Sequence, residues 1–430
     1  MLRSWFWSVV LLFAVDARGS VLPGFSINTL GSTTGFVTSL AADSKGTIYY
    51  TTQDGAIFRF EPPAAGDGLW QSVPVARVTT RATGDSGLLG MALPDDQTAV
   101  VHYTTPIPGA GEGSNSVRAD VISWIDLRSG RETVLHTFDC DISVPERGAS
   151  AEHHGGNPTV APDGSVFVGI GDYNVGILAK LPGWNAGRIF QVFPDGTARE
   201  FAKGFRNPFD LAWDDTHQRV IVSDNGSAQS AKSPPDIPDD EINIIHAGDD
   251  AGWPDTSGNA PPCPGCTPPV YVFPTVIAPT GLAALSGRNP ILQHGYLLTG
   301  FVSKAIYYIP DIDVRPLPPP IAIVKGEPTV MIDVVESGNG DIIFATPKTI
   351  YKLNVPARGD CNGDGLVDLA DLTALMAQLA AGTHSVSAVL NTTPPGTFGC
   401  DVDGDGAITS ADVAALMNRL HLRSRSVRRR

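Results

Sequence analysis

Two twelve-residue stretches near the C-terminus carry the most explicit chemistry in this chain. The first places Asp360, Asn362, Asp364, Asp368 and Asp371 at its positions 1, 3, 5, 9 and 12, with Gly365 at position 6. The second repeats the plan with Asp401, Asp403, Asp405, Thr409 and Asp412, and Gly406 at the turn. Hard oxygen donors at that spacing, completed by the position-7 carbonyls of Leu366 and Ala407, follow the EF-hand pattern for calcium. Asp stands at position 12 in place of the usual Glu. One Asp/Asn-rich loop with Gly is also what an ordinary turn cluster looks like. Two of them, starting 41 residues apart and each leading into an apolar helical pattern, call for calcium.

The elements that must hold these loops are short amphipathic helices. Leu369, Leu372, Leu375, Met376 and Leu379 fall on one helical face, and Val413, Leu416, Met417 and Leu420 on another. Both faces are expected to pack the two helices together. The duplicated loop–helix unit over residues 358–422 resembles a type I dockerin. That resemblance implies a small all-α domain that binds two Ca²⁺ and docks on a cohesin domain. Dockerins use loop positions 10 and 11 for recognition. Ser410-Ala411 matches the usual small/hydroxyl pair, and Leu369-Ala370 matches less well.

With 430 residues, the chain is too long for one ordinary domain. A net charge of −15 argues against nucleic acid and anionic membranes as partners. The basic tail over residues 423–430 is the exception and reads as a solvated end. At the N-terminus, Arg3 precedes an apolar run from Trp5 to Val15, followed by Asp16-Ala17. This describes a secretory signal over residues 1–17 with cleavage after Ala17. The run is short for a membrane span, so a secreted or periplasmic protein is expected. Five cysteines cannot all pair. Cys361 and Cys400 sit at equivalent edges of the two calcium loops, where a bridge is feasible. Cys263 and Cys266 read as a small disulfide or two free thiols, since zinc would need a second pair. Cys140 is left over.

Between residues 21 and 356 one pattern returns six times: an apolar dipeptide, a Gly/Asp/Asn turn, an alternating strand and a second strand. The copies begin near Thr38, Leu88, Asn157, Pro208, Pro279 and Met331. Period-2 alternation between turn residues predicts antiparallel β structure. Units of about 50–70 residues match the four-stranded blade of a propeller. The fold class is therefore an all-β six-bladed β-propeller followed by the calcium-loop module. A β-sandwich array gives no reason for six similar units.

Several strings within residues 25–355 resemble the glucose/sorbosone dehydrogenase family. They are Gly87-Leu-Leu-Gly-Met-Ala92, His153-His-Gly-Gly-Asn-Pro158, Gly187-Arg-Ile-Phe190 and Gly204-Phe-Arg-Asn-Pro208. Asp240-Glu-Ile-Asn243, Gly252-Trp-Pro254 and Ile277-Ala-Pro-Thr-Gly-Leu282 follow in the right order. Many members are six-bladed propellers that oxidise aldoses with pyrroloquinoline quinone (PQQ) and Ca²⁺. The resemblance implies His153 as the base that takes a proton from the sugar's anomeric hydroxyl, with His154 as the adjacent alternative and Glu152 as the carboxylate orienting the ring. An imidazole suits that task because its ordinary pKa lies near neutral pH. Arg206 and Asn207 match the pair that holds the cofactor, and a guanidinium suits its carboxylates. Lys304 is the nearest candidate for a further cofactor-binding cation, one or two positions out of register. Gly226 and Ser227 match the carbonyl ligands of the catalytic Ca²⁺, and Glu241 a ligand of a structural Ca²⁺.

The chain also departs from the family. A Ser-, Pro- and Asp-rich insertion of about ten residues follows Asn225-Gly226. Asn157-Pro158 stand where the family has Arg-Leu. Val330 and Ile332 stand where cofactor-binding members carry an Arg-x-Arg pair before Asp-Val. Two readings follow: a secreted PQQ- and Ca²⁺-dependent aldose dehydrogenase carrying a dockerin, or a non-catalytic propeller that binds carbohydrate or protein.

Overall fold

The computed structural model describes residues 20–64, 68–106, 117–140, 151–226, 239–258, 260, 262–326, 329–382, 397–405 and 407–427. The expected signal peptide over residues 1–17 and the last residues of the basic tail, 428–430, lie outside them. The alternating segments form six antiparallel sheets arranged as a six-bladed propeller. In each, the strand that opens the sequence repeat is innermost. These opening strands are Val37–Ala42, Leu88–Ala92, Thr159–Val160, Pro208–Asp214, Pro279–Ala284 and Asp333–Glu336.

Turn chemistry and burial explain why the repeat takes this form. Asp43 Oδ1 accepts from the backbone N–H groups of Lys45 and Thr47, while Gly46 takes φ +87° to complete the turn. Second strands such as Val166–Ile170 and Ile342–Thr346 are buried at every position, because each blade is covered on both faces by its neighbours. Six apolar clusters fill the six interfaces between blades. Met91 and Val101 meet Ala41 and Ile57 at one of them, and Leu282 and Leu298 meet Ile221 and Ile242 at another.

Ring closure comes from the other end of the chain. Strand Ser26–Ser32 pairs antiparallel with Thr349–Asn354, so an N-terminal segment completes the sixth blade. Ser20–Val21 adds a fifth strand beside Ile321–Lys325. Closure removes the free edge that an open sheet would leave.

Among the described residues, the calcium-loop module contains two α-helices, α1 (Leu369–Ala380) and α2 (Ser410–Val427). They enclose a small core of Leu375, Leu416, Ile408, Val402, Cys361 and Cys400. Asp368 caps α1 by accepting from Ala370 N–H, while Asp371 reaches back to the cap residue. The module rests directly on the propeller. Phe398 is buried with its ring edge-on to Phe25 at 5.0 Å, and Arg358 donates to the Pro290 carbonyl.

Candidate functional site

The innermost strands all begin at one end of the propeller axis, and the loops preceding them form its mouth. His153 lies on such a loop, almost wholly buried, with φ 57°. Tyr173, Asn174, Ala278 and Lys304 also have positive φ and also lie on loops at this end. Non-glycine residues in that region are held there by their surroundings, and such strain gathers where side chains must be aimed.

His153 Nδ1 lies 2.7 Å from Asp172 Oδ1. Two further donors fix that carboxylate: Asn174 N–H at 2.9 Å, and Trp253 Nε1–H on the other oxygen at 3.0 Å. The carboxylate on the His153 ring is therefore Asp172, which corrects the expectation of Glu152. Neighbours along a chain project to opposite sides, and Glu152 is exposed and accepts from Asn174 Nδ2. With Asp172 accepting, the proton is held on Nδ1 and Nε2 is left as the basic nitrogen.

Arg206 is half-buried with its guanidinium 6.0 Å from the Trp253 ring centre, and it donates to the Asn225 carbonyl. Trp253 thus joins Arg206 to the His153–Asp172 pair. Asn207 plays a different part: its Oδ1 accepts from Gly155 N–H at 3.0 Å, so its side chain braces the loop that carries His153. Lys304 lies in the turn between Tyr296–Gly300 and Ala305–Ile309, on the same rim as Arg206. Ile332 lies in the apolar cluster with Leu40, Ile48 and Ile343. A cation there would be desolvated, so the chain offers Arg206 and Lys304, and no third cation at Ile332.

Beside Arg206, four carboxylates converge. Asp224, Asp239, Asp240 and Glu241 are all buried. Asp240 accepts from Gly226, Ile277 and Ala278 N–H groups, tying two rim loops together. A Cβ on Gly226 would lie 2.1 Å from Asp239 Oδ1, so only glycine fits. An enclosed cavity of about 10 Å³, room for one ion or water, is lined by Asp224, Asp239, Glu241 and Arg206. Burial pushes the Glu241 carboxyl up to about 7. Burial, and then the neighbouring Glu241, raises Asp224. Hard anionic donors crowded in a dry site fit a calcium ion. Ser227 lies outside the described residues.

Deeper along the axis, Asn157 Nδ2 donates to Asp210 Oδ2 at 2.8 Å and to Asp333 Oδ2 at 3.2 Å. Leu282 and Leu40 N–H groups donate to the same two oxygens. Five blades are thereby joined through two carboxylates that burial raises, Asp333 to about 7.

In the C-terminal module the loop residues come together as their spacing predicts. Asp360 and Asp371, at positions 1 and 12, are fully buried, as is Asp412. Asp371 accepts from the N–H groups of Cys361, Asn362 and Asp368, which aims its carboxylate into the loop. Asp412 does the same with Val402, Asp403 and Thr409. Carboxylate oxygens of Asp401, Asp403 and Asp412 lie within 4.8 Å of one another. Burial and then the Asp371 charge raise the Asp360 carboxyl. This donor set fits calcium. Cys361 pairs with Cys400 beside the loops, and Cys263 with Cys266.

One helical expectation is corrected. Leu369, Met376 and Met417 are 72%, 58% and 48% exposed, while Leu375 and Leu416 are fully buried. Leu372, Leu379, Val413 and Leu420 pack against that core as expected, and only Leu369, Met376 and Met417 at the edges of the two faces are left outward. Ser410, Ala411 and Ala370 are likewise exposed at the starts of their helices.

The fold and these two sites define a six-bladed sugar-dehydrogenase-like propeller joined to a dockerin. The family model described as Glucose / Sorbosone dehydrogenase matches residues 37–315, and that described as Dockerin type I domain matches residues 358–421. The chain belongs to the glucose/sorbosone dehydrogenase family. It is similar to a structure from Thermus thermophilus described as a putative oxidoreductase (glucose dehydrogenase), at 20% identity and TM-score 0.61, covering 77% of this chain and 100% of that one. The PQQ-bound form of an aldose sugar dehydrogenase from Streptomyces coelicolor gives 20% identity and TM-score 0.61, with 78% and 100% covered. Soluble aldose sugar dehydrogenase from Escherichia coli, in its apo form, gives 16% and 0.61, with 76% and 99% covered. At these identities the likeness speaks for the fold. An uncharacterised Synechocystis protein is 26% identical over 204 residues, which are 39% of this chain and 47% of that protein. The match thus spans about half the length of that curated relative. Among the described residues no helix is long and apolar enough to cross a membrane.

Proposed function

We propose that this chain is an exported PQQ- and calcium-dependent aldose dehydrogenase, tethered by its dockerin to a cohesin-bearing partner. The observation that carries the reading is the His153–Asp172 pair at the propeller mouth, 2.7 Å apart and braced by Trp253. PQQ, when bound, supplies the acceptor for the hydride leaving the anomeric carbon. His153 Nε2 takes the proton of the anomeric hydroxyl, and Asp172 stabilises the imidazolium that results. Trp253 and Asn174 keep Asp172 in place. Arg206 and Lys304 supply positive charge for quinone carboxylates, and Asp224, Asp239, Glu241 and the Gly226 backbone hold Ca²⁺. Export rests on residues 1–17.

The dockerin lies at the far end of the propeller from this mouth. Innermost strands run away from the mouth, and the module contacts the loop beyond one of their ends at Pro290 and the end of strand Ala305–Ile309 at Tyr308. Tethering through it leaves the mouth open to substrate.

Spectral titration of the purified chain with PQQ in the presence of Ca²⁺, followed by aldose-dependent dye reduction, tests the reading. A quinone spectral change with turnover on a panel of aldoses is expected. Neither signal would leave the second reading, a propeller that binds carbohydrate without redox chemistry. Burial of Ile332 in the core, at the position where cofactor-binding members carry a cation, favours that reading.

A further inference from the structure

His154 stands next to His153 but turns inward, between the second and third blades. Its Nδ1 lies 2.9 and 3.2 Å from the two carboxylate oxygens of Asp120. Cys140 Sγ is 3.4 Å from Asp120 Oδ2. All three side chains are buried, and their ligand atoms lie within 4.8 Å of one another. They come from three separate segments: strand Val117–Asp126, the residue after strand Glu132–Asp139, and the loop before Thr159. With Cys263–Cys266 and Cys361–Cys400 paired, Cys140 is the one free cysteine.

We propose that Asp120, Cys140 and His154 form a buried site for a borderline transition metal of the Zn²⁺ class. The donor set decides the class of ion. A thiolate, an imidazole and one carboxylate match Zn²⁺, whereas Ca²⁺ takes only oxygen. The spacing agrees too. Ligands of one tetrahedral zinc lie about 3.3–3.6 Å apart, close to the 3.4 Å and 3.2 Å measured from Asp120 Oδ2. A divalent ion with one thiolate and one carboxylate is neutral overall, as a dry interior requires. When the ion enters, Cys140 Sγ gives up its proton to solvent and the His154 ring proton passes from Nδ1 to Nε2 by exchange with solvent, so that a thiolate and a neutral imidazole bind the metal.

The surroundings are arranged as a supporting shell. Tyr173 O–H donates to Asp120 Oδ2 at 3.2 Å, and His102 Nε2 lies 3.3 Å from Asp120 Oδ1. His102 Nδ1 in turn is 3.0 Å from the Gly156 carbonyl. Such partners orient a ligating carboxylate. They also connect the cluster to both ends of the His153–Gly156 loop. The site is separate from the calcium positions and from the cofactor wall, so it stands whether or not the propeller carries out redox chemistry.

The test uses the full chain produced with zinc in the medium. Elemental analysis of the purified protein should find about one zinc per chain. Protein loaded with Co²⁺ should show a thiolate-to-metal charge-transfer band in the near ultraviolet. Both signals should be lost in Cys140→Ser and His154→Gln, while circular dichroism shows the propeller retained. Folded wild-type protein with neither stoichiometric zinc nor the cobalt band overturns the proposal, as does zinc that survives in both variants. If the variants do not fold, the wild-type cobalt spectrum decides alone.

Discussion

The dockerin loops and the propeller mouth both gather charged donors around a small volume, and they do so in opposite ways. Each dockerin loop draws its ligands from twelve consecutive residues, with the buried position-12 Asp held by N–H groups of its own loop. The mouth draws His153, Asp172, Arg206, Trp253 and Glu241 from segments spread over several loops, held by contacts between them. A contiguous loop is simple to encode but has little apolar core behind it. The mouth has a large core behind it, so its shape does not wait for a ligand.

The difference should appear first on calcium removal. Adding chelator to the full chain should abolish the dockerin's calorimetric transition, because buried carboxylates are left facing one another and the module's core is small. The propeller transition should shift far less. An unchanged low-temperature transition after chelation would mean that the Cys361–Cys400 bridge and the Phe398 contact suffice without metal.

At the mouth, the expected effect is on rate and not on folding. Replacing His153 by Ala should reduce aldose-dependent dye reduction by about 10²–10⁴-fold with the melting temperature kept, since that is what a general base supplies. Asp172→Asn should lose less and shift the pH profile, whereas Glu152→Gln should leave both near wild type. An equal loss in Glu152→Gln would restore the carboxylate read from the sequence.

A smaller effect concerns the axis. Burial raises Asp210 and Asp333, the latter to about 7. A carboxyl raised on folding holds a proton that the unfolded chain releases near pH 4. Its contribution is therefore full below about pH 4 and is lost as pH rises through about 7. With calcium saturating, the propeller's melting temperature should fall by a few degrees between about pH 5 and pH 8. Asp210→Asn, which leaves one carboxylate beside Asn157, should flatten that slope. A flat wild-type profile would show that the pair does not share a proton.

The least effect on stability should come from the outward dockerin face. Leu369→Ser and Met376→Ser should each change stability by less than about 0.5 kcal/mol, because these side chains are exposed. If they form the cohesin face, affinity for a cohesin should drop in a pull-down or calorimetric titration. A large loss of stability would mean that they pack as the helical pattern alone implies.

Legibility followed the same divide. The calcium loops could be read residue by residue, because their geometry is local. The six repeats were legible because every blade restates the same turn and alternation. His153, Arg206 and Glu241 were found through family motifs, but their partners were not. Asp172 follows the Val166–Ile170 strand within Gly-Asp-Tyr, a signal visible in the sequence without anything to link it to His153. Glu152 looked right by adjacency and points away. Leu369 and Met376 looked like core by periodicity and lie outside.

Calcium-loop spacing, Asp–Gly turns, strand alternation and the number of repeats are written directly into the chain, because each depends on residues close together along it. Other features need two distant segments at one point, and these emerged only from the packed molecule. Strand Ser26–Ser32 closes the sixth blade, and Asn157 bridges Asp210 and Asp333. Asn207 braces the His153 loop, and Asp120, Cys140 and His154 meet between blades. A turn or a helix face is set by neighbours along the chain. A ring is set by closure, and closure chooses partners by where their blades meet.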